Sequence, residues 1–172
     1  EIILQENVVE AHLILNKLRE RVKRTLRQEG KEGEAKDGMD VALVVIDEEA
    51  KKLYFAGAYN PAYIYRGTEM VELKADRMPI GIYIKEKESF TLNEYDYLPG
   101  DTFYIASDGY SDQFGGPNKD KLKAKAMKEY LASIQKKPMD EQRELLNQYI
   151  EDWMGPDQEQ IDDMLVIGVR LN

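Results

Sequence analysis

Two aspartates at the ends of apolar segments are the residues of this sequence best suited to chemistry. Asp108 follows the apolar run 102–106 and precedes Gly109, while the pair Asp162 and Asp163 comes directly before a second apolar run. Carboxylates at the mouth of a buried strand rest on a fixed backbone, which suits them to bind a hard divalent cation through oxygen. The sequence therefore indicates a cation site with Asp108 and Asp162 as candidate ligands.

An ordinary turn is the competing interpretation of each motif taken alone. Ser107-Asp108-Gly109 is a common turn tripeptide, and an Asp pair before a strand is most often a loop feature. Because Gly109 permits a sharp change of backbone direction, we expect Asp108 to project from the strand tip and not from a helix. Two strand-terminal aspartates in one chain favour a shared site over two separate turns.

The composition excludes most other kinds of active site. The 172 residues include no cysteine and a single histidine, His12, which excludes thiolate nucleophiles and Cys-type zinc sites and makes a His-based triad unexpected. Lys and Arg total 24 against 33 Asp and Glu, and the resulting net charge of −9 argues against a nucleic-acid partner. No apolar run approaches the roughly 18 residues of a membrane span, and no signal peptide opens the chain, so we expect no direct membrane contact.

Hydrophobic periodicity predicts the elements that must position the aspartates. The first helix carries Leu15, Leu18, Val22 and Leu26 in one apolar stripe. The order of helix, strands, two helices and final strand predicts an α+β fold in one domain, with helices packed on antiparallel sheets. The predicted helices cover 5–28, 119–135 and a segment from Pro138 to just before Gly155, and the predicted strands cover 41–46, 53–58, 62–65, 71–73, 90–92, 102–107 and 164–169.

Four stretches together resemble one known family. Their order and spacing span nearly the whole chain from Asp40 onward. They are Leu53 to Pro61, Met78-Pro79-Ile80-Gly81, Gly100 to Gly109, and Asp162-Asp163-Met164-Leu165-Val166. The chain resembles the C-terminal two-thirds of a metal-dependent protein phosphatase domain of the stage II sporulation protein E (SpoIIE) class, which belongs to the type 2C-like Ser/Thr phosphatases.

The resemblance implies a fold and an activity. The family fold is a layered α/β/β/α sandwich of antiparallel sheets flanked by helices, and its N-terminal strands have no counterpart here. The implied activity is hydrolysis of phosphoserine or phosphothreonine in a protein by a metal-activated water, with no side chain acting as a covalent catalyst. The implied cofactors are Mn²⁺ or Mg²⁺ ions in a two-metal site, for which oxygen ligands are suitable.

The same resemblance implies roles for individual residues. Asp108 and Asp162 would be metal ligands, and Asp163 and Gly109 would support them without contacting the metal. Asp112 matches an acidic position that we interpret as structural. Tyr59 stands where many relatives carry histidine, so no role of that histidine transfers to this chain.

The largest departure from the family is the absence of its first motif, Asp-x-Thr-Gly-His-Gly, from residues 1–40. That motif supplies the aspartate that bridges both metals. We therefore expect residues 1–172 to be a truncated phosphatase domain that binds Mn²⁺ weakly and has little activity alone. The apolar residues that directly follow Glu1 also suggest a cut through an element, and uncovered sheet edges would favour a homo-oligomer.

Three functional hypotheses remain at this point. The leading one is the cytoplasmic output module of a bacterial signalling phosphatase, joined to an upstream sensor domain, whose substrate is a phosphorylated regulatory protein similar to an anti-anti-sigma factor. The alternative is a non-catalytic, pseudophosphatase-type interaction domain whose parent also lacks the first motif. The third is an unrelated acidic α+β domain with incidental Asp turns.

Overall fold

The structure is a computed structural model and describes residues 2–6, 8–30 and 36–172. The chain divides into two units, the first comprising Glu1–Ala62 and Leu73–Tyr97 and the second comprising Tyr63–Glu72 and Leu98–Asn172. In chain order the helices and strands are α1 (Ile2–Glu6), α2 (Ala11–Thr25), β1 (Val41–Asp47), β2 (Lys52–Ala58), β3 (Ala62–Arg66), β4 (Glu69–Leu73), β5 (Asn93–Asp96), β6 (Thr102–Ala106), α3 (Asp108–Asp112), β7 (Phe114–Gly115), β8 (Asp120–Lys121), α4 (Lys123–Ile134), α5 (Met139–Met154) and β9 (Val166–Arg170).

The first unit contains an antiparallel sheet with strand order β1-β2-β5. In its register Val41 lies opposite Ala58 and Asp47 opposite Lys52, so the charged residues between the two strands form a tight turn. The central strand β2 is buried along most of its length, which explains its continuous apolar sequence. The predicted strands 41–46 and 53–58 are confirmed.

Helix α2 packs its apolar stripe within the same unit. Leu15 is buried in a cluster with residues of β2, and Leu18 and Val22 lie partly buried beside it. Leu26 lies just beyond the last helical residue and is exposed. The predicted stripe is therefore confirmed for its first three members and ends with the helix.

The predicted helix 5–28 is wrong in its extent. The structure has two helices, α1 and α2, and residues 8–10 belong to neither. The β-branched pair Val8 and Val9 disfavours a continuous helix. Glu6 at the end of α1 forms ion pairs with Lys17 and Arg21, which hold α1 against α2.

The predicted strand 90–92 is also wrong, because β5 begins at Asn93. Phe90 is buried, and its backbone N–H donates to the Asn16 side chain at 3.0 Å instead of to a neighbouring strand. The polar segment Asn93–Asp96 pairs with β2 and leaves alternate residues exposed. In this region the apolar residue Phe90 contacts the core, and the more polar segment Asn93–Asp96 forms the strand that pairs with β2.

Buried charges hold the segment between residues 86 and 91. The buried guanidinium of Arg19 donates to the carbonyls of Lys87 and Glu88 at 3.0 and 2.9 Å. Asp76, only 4% exposed, accepts hydrogen bonds from Lys87 Nζ at 2.5 Å and from the Thr91 N–H and hydroxyl at 2.6 and 3.0 Å. A charge in this position costs free energy unless it is paired and hydrogen-bonded, and both Arg19 and Asp76 have such partners.

The second unit contains an antiparallel sheet with strand order β4-β3-β6-β9. The predicted strands 62–65, 71–73, 102–107 and 164–169 correspond to β3, β4, β6 and β9, although β9 begins two residues late at Val166. Helices α4 and α5 bury one face each on an aromatic core. That core consists of Tyr63, Tyr65, Tyr104, Tyr110, Leu122, Met127, Leu131 and Ile150.

The boundaries of the late helices are partly as predicted. Helix α5 begins directly after Pro138 and ends before Gly155, whose φ of +60° stops it. Helix α4 begins at Lys123 and not at Lys119, because residues 120–121 form β8 and pair with β7. Strands of two residues carry no periodic signal, so the sequence does not predict this hairpin.

These elements confirm the mixed α+β class with antiparallel sheets and flanking helices. Within the described parts of the chain, no helix has the length and apolar character needed to cross a membrane.

Replacing Asp76 with Asn should lower the free energy of unfolding by about 1–3 kcal/mol at pH 7, because Lys87 and Thr91 lose their charged, buried acceptor. Burial by itself raises the pKa of Asp76, but the hydrogen bonds from Lys87 and Thr91 outweigh it and hold that pKa below its ordinary value. The contribution of Asp76 to stability is therefore complete above about pH 4 and is lost as the pH falls through the lower folded-state pKa. Urea denaturation between pH 7 and pH 3 measures both effects.

Glu48→Gln is the control, because Glu48 is exposed in the turn after β1 and its neutralisation removes one negative charge without a buried partner. An Asp76→Asn variant with the wild-type urea midpoint at pH 7 would contradict the assignment.

Candidate metal centre

Pairing between β6 and β9 brings the two candidate ligand segments to one sheet edge. The ladder runs from Thr102 opposite Arg170 to Ala106 opposite Val166. Because the strands are antiparallel, the end of β6 meets the start of β9. Asp108, two residues beyond β6, and Asp162, four residues before β9, therefore lie at the same edge of the sheet.

Ser107 extends this pairing beyond the last strand residues. Its N–H donates to the Leu165 carbonyl at 2.9 Å. Its hydroxyl donates to the Asp163 carbonyl at 2.7 Å and accepts from the Leu165 N–H at 2.9 Å. The sequence indicates a turn at Ser107 and predicts no role for this residue. The structure assigns it the connection between the two aspartate segments.

The expectation that Asp108 lies outside a helix is wrong, because Asp108 is the first residue of α3. Ser107 precedes the helix with an extended backbone, and an acidic side chain in a first helical turn interacts favourably with the helix dipole. A Ser-Asp-Gly sequence is compatible with both a turn and a helix start. Contacts made by Gly109 and Tyr110 favour the helix.

Gly109 allows α3 to contact the acidic segment directly. A Cβ atom at this position would lie 2.5 Å from the Asp163 carbonyl oxygen and 3.4 Å from the Asp162 carbonyl carbon. Only glycine fits so close to another backbone. The predicted supporting role of Gly109 thus has a steric basis here, although its relation to a metal stays a prediction.

Tyr110 fixes the other side of α3. Its ring is buried, and its hydroxyl donates to the Leu146 carbonyl of α5 at 2.7 Å. Burial raises the pKa of Tyr110, so the hydroxyl remains a donor at any physiological pH. Helix α3 is therefore held between α5 and the segment that carries Asp162.

The carboxylates themselves remain available to solvent. Asp108, Asp162 and Asp163 are all exposed. One oxygen of Asp162 accepts the Asp163 N–H at 2.7 Å, which orients that carboxylate. Asp112 differs, because Lys121 pairs with it at 2.6 Å, and its structural role stays a prediction.

The oxygen atoms of Asp108 and Asp162 suit a hard cation, but they do not form a complete metal centre. Carboxylate oxygens are the ligands that Mn²⁺ and Mg²⁺ prefer, and the backbones beneath Asp108 and Asp162 are fixed. Within residues 2–6, 8–30 and 36–172, no three or more His, Cys, Asp or Glu side chains form a group that could hold a metal ion. The structure brings the predicted ligand segments together, and the ligand roles stay predictions.

Gly109→Ala should destabilise the protein by about 1–3 kcal/mol, because the added methyl group would overlap the Asp163 backbone. The sign of the change in unfolding free energy is diagnostic, since a Gly to Ala substitution inside an unobstructed helix normally stabilises the protein by about 1 kcal/mol. Thermal unfolding measures the difference. A Gly109→Ala variant as stable as the wild type, or more stable, would contradict the close contact.

Solved phosphatase structures have the same fold. The SiaA-PP2C domain of Pseudomonas aeruginosa matches with a TM-score of 0.82 and 27% identity over 95% of this chain, which spans 61% of that domain. The SpoIIE phosphatase domain of Bacillus subtilis, in a manganese-presoaked crystal, has a TM-score of 0.61 and 20% identity, covering 92% of this chain and 73% of its own. RsbX in complex with magnesium has a TM-score of 0.52 and 13% identity, covering 93% of this chain and 72% of its own. A comparison with curated protein sequences gives no match.

The resemblance inferred from the four sequence stretches is confirmed by a sequence-family match. The family model described as stage II sporulation protein E (SpoIIE) matches residues 3–172. This match covers almost the whole chain, and the structural matches are domains of PP2C-type phosphatases. The chain belongs to the stage II sporulation protein E family and has the fold of the PP2C-type phosphatases.

Proposed function

We propose that this chain is part of the catalytic domain of a metal-dependent phosphatase that hydrolyses phosphoserine or phosphothreonine in a regulatory protein. The observation that carries the proposal is the approach of the Asp108 segment to the Asp162 segment at one sheet edge, with exposed carboxylates on both. Membership of the family supports phosphatase chemistry in general.

Asp108 and Asp162 would hold Mn²⁺ or Mg²⁺ through their carboxylate oxygens. When bound, the ion supplies Lewis acidity, which lowers the pKa of water and offsets charge on the phosphoryl group. Ser107 and Gly109 keep the two segments in contact, and the Asp163 N–H orients the Asp162 carboxylate. These residues set the spacing of the ligands without contacting the substrate.

Residues 1–172 would supply only part of the centre. Mg²⁺ and Mn²⁺ sites commonly take about six oxygen ligands, and two carboxylates are too few to bind either ion tightly. The chain spans 61% of the SiaA-PP2C domain, which leaves room for further ligands in polypeptide outside it. We therefore expect weak Mn²⁺ binding and little phosphatase activity from this chain alone.

The proposed setting is bacterial signalling. A phosphorylated regulatory protein of the anti-anti-sigma type is the proposed substrate, and a sensor domain in the same polypeptide, upstream of a cytoplasmic phosphatase domain, is the proposed input. The net charge of −9 favours protein partners over nucleic acid. Homo-oligomerisation of the isolated chain through uncovered sheet edges belongs to the same proposal.

A non-catalytic interaction domain is the second candidate function. The observation that favours it is the missing third carboxylate among the described residues. The two candidates differ in one sequence feature, since only a phosphatase requires the first metal motif of the family upstream of residue 1.

Asp108→Asn in the complete domain should reduce Mn²⁺-dependent hydrolysis of an aryl phosphate by more than about 100-fold, since losing a ligand should exceed the 10–100-fold effect of losing a supporting residue. The same change should alter the free energy of unfolding by less than about 0.5 kcal/mol, because the side chain is exposed. Steady-state kinetics and urea denaturation measure the two quantities.

Asp112→Asn provides the matched control, because Asp112 lies in the same short helix and pairs with the exposed Lys121. It should retain activity. An Asp108→Asn enzyme that is folded and fully active would refute the proposed function.

A further inference from the structure

The segment that carries Asp162 has little structure of its own. We call residues 155–163, between α5 and β9, the acidic loop. Its side-chain hydrogen bonds within the loop join residues one or two positions apart, such as Gln160 Nε2 to the Asp162 carbonyl at 2.7 Å, and none of residues 155–163 belongs to a helix or strand. Contacts from outside the loop must therefore fix the position of Asp162. One of them is the hydrogen bond from Ser107 to the Asp163 carbonyl.

Gln113 also holds the acidic loop by hydrogen bonds. Its side chain is fully buried, at 0% exposure. The amide nitrogen donates to the Glu159 carbonyl at 2.9 Å, and the amide oxygen accepts the Ile161 N–H at 3.3 Å. A primary amide can donate and accept at once, so one side chain satisfies two backbone groups of a loop that has no regular structure.

The backbone of Gln113 is itself fixed. Its carbonyl accepts hydrogen bonds from the Trp153 indole N–H and from the Leu122 N–H, both at 3.0 Å. The Gly116 N–H donates to the Trp153 carbonyl at 2.7 Å. A Cβ on Gly115 would lie 2.0 Å from that same carbonyl oxygen, so the chain after Gln113 packs directly against the end of α5.

The segment 107–113 consequently holds the acidic loop on both sides of Asp162. Ser107 binds residue 163, Gln113 binds residue 161, and Asp108 belongs to the same short segment. We propose that Gln113 is a positioning residue, which sets the place of Asp162 relative to Asp108 and so sets the affinity of the centre for its metal ion. The inference rests on the proposed function, because the metal role of the two aspartates belongs to that proposal.

Substitutions at Gln113 separate the two halves of its amide. Gln113→Leu removes both the donor and the acceptor while keeping the side chain buried. Gln113→Glu keeps the size and the acceptor but loses the donor, and it brings a carboxylate against the Glu159 carbonyl. Both changes leave backbone groups of the acidic loop without their buried partner, which favours their release to water.

Gln142 offers a matched control in the same unit. It is also buried, at 1% exposure. Its amide accepts the Tyr104 hydroxyl at 2.5 Å and donates to the Lys137 carbonyl at 2.8 Å, so it holds the connection between α4 and α5. Gln142→Leu thus removes a comparable set of buried hydrogen bonds without touching the acidic loop.

The experiment compares the wild-type complete domain with Gln113→Leu, Gln113→Glu and Gln142→Leu. Hydrogen exchange followed by mass spectrometry reports on the acidic loop, and calorimetric titration with Mn²⁺ reports on the affinity. Both Gln113 variants should show faster exchange in residues 159–163 and an Mn²⁺ dissociation constant raised about 10-fold or more. Gln142→Leu should lower the melting temperature while leaving the Mn²⁺ dissociation constant within about twofold of wild type, since it lies outside the coupled group.

Two results would overturn the positioning role while leaving the proposed function intact. In the first, the wild-type domain binds Mn²⁺, and the Gln113 variants show the same hydrogen exchange in the acidic loop and the same Mn²⁺ affinity as the wild type. In the second, Gln142→Leu loses as much Mn²⁺ affinity as the Gln113 variants, which would mean that general destabilisation causes the loss. If Gln113→Leu does not fold, the Gln113→Glu variant decides alone. A folded wild-type domain that binds no Mn²⁺ refutes the proposed function and, with it, the metal part of this inference.

Discussion

The antiparallel ladder between β6 and β9 is the interaction on which the candidate centre depends. Asp108 and Asp162 are far apart in the chain, with α4 and α5 between them, and the ladder makes their segments neighbours. Ser107 continues the ladder by side-chain hydrogen bonds, and Gly109 lets α3 pack on the backbone that the ladder has brought near. If that pairing were shifted in register, both of these contacts would be lost together.

Solvent-exposed carboxylates held on fixed backbones are electrostatically unfavourable neighbours when no cation is bound. Asp162 and Asp163 are adjacent, and the Asp108 segment is held against them in a region rich in acidic residues. Lys121 pairs with the nearby Asp112. Like charges held close together favour a bound cation, which would relieve their repulsion.

The sequence predicts those features whose physical cause is local. Continuous apolar runs locate β1, β2 and β6, and Pro138 and Gly155 mark the ends of α5, because burial and backbone dihedral preferences act within a few residues. The motif resemblance also selects Asp108, Gly109, Asp162 and Asp163, which the structure does bring to one edge. The polar strand β5 and the helix start at Asp108 are missed, because pairing with β2 and contact with Asp163 decide them over long range. Gln113 is missed for the same reason, since a glutamine in a polar stretch gives no sign that it is buried.

We propose that Asp108 and Asp162 contribute to one metal site. Titration of ¹⁵N-labelled residues 1–172 with Mn²⁺ tests it most directly, because the paramagnetic ion broadens the amide signals of nearby residues even when binding is weak. If both aspartates bind the ion, residues 108–109 and 162–163 should lose intensity first and in parallel. Loss confined to one of the two segments, or centred on exposed acidic residues of α5 such as Glu144, would contradict it.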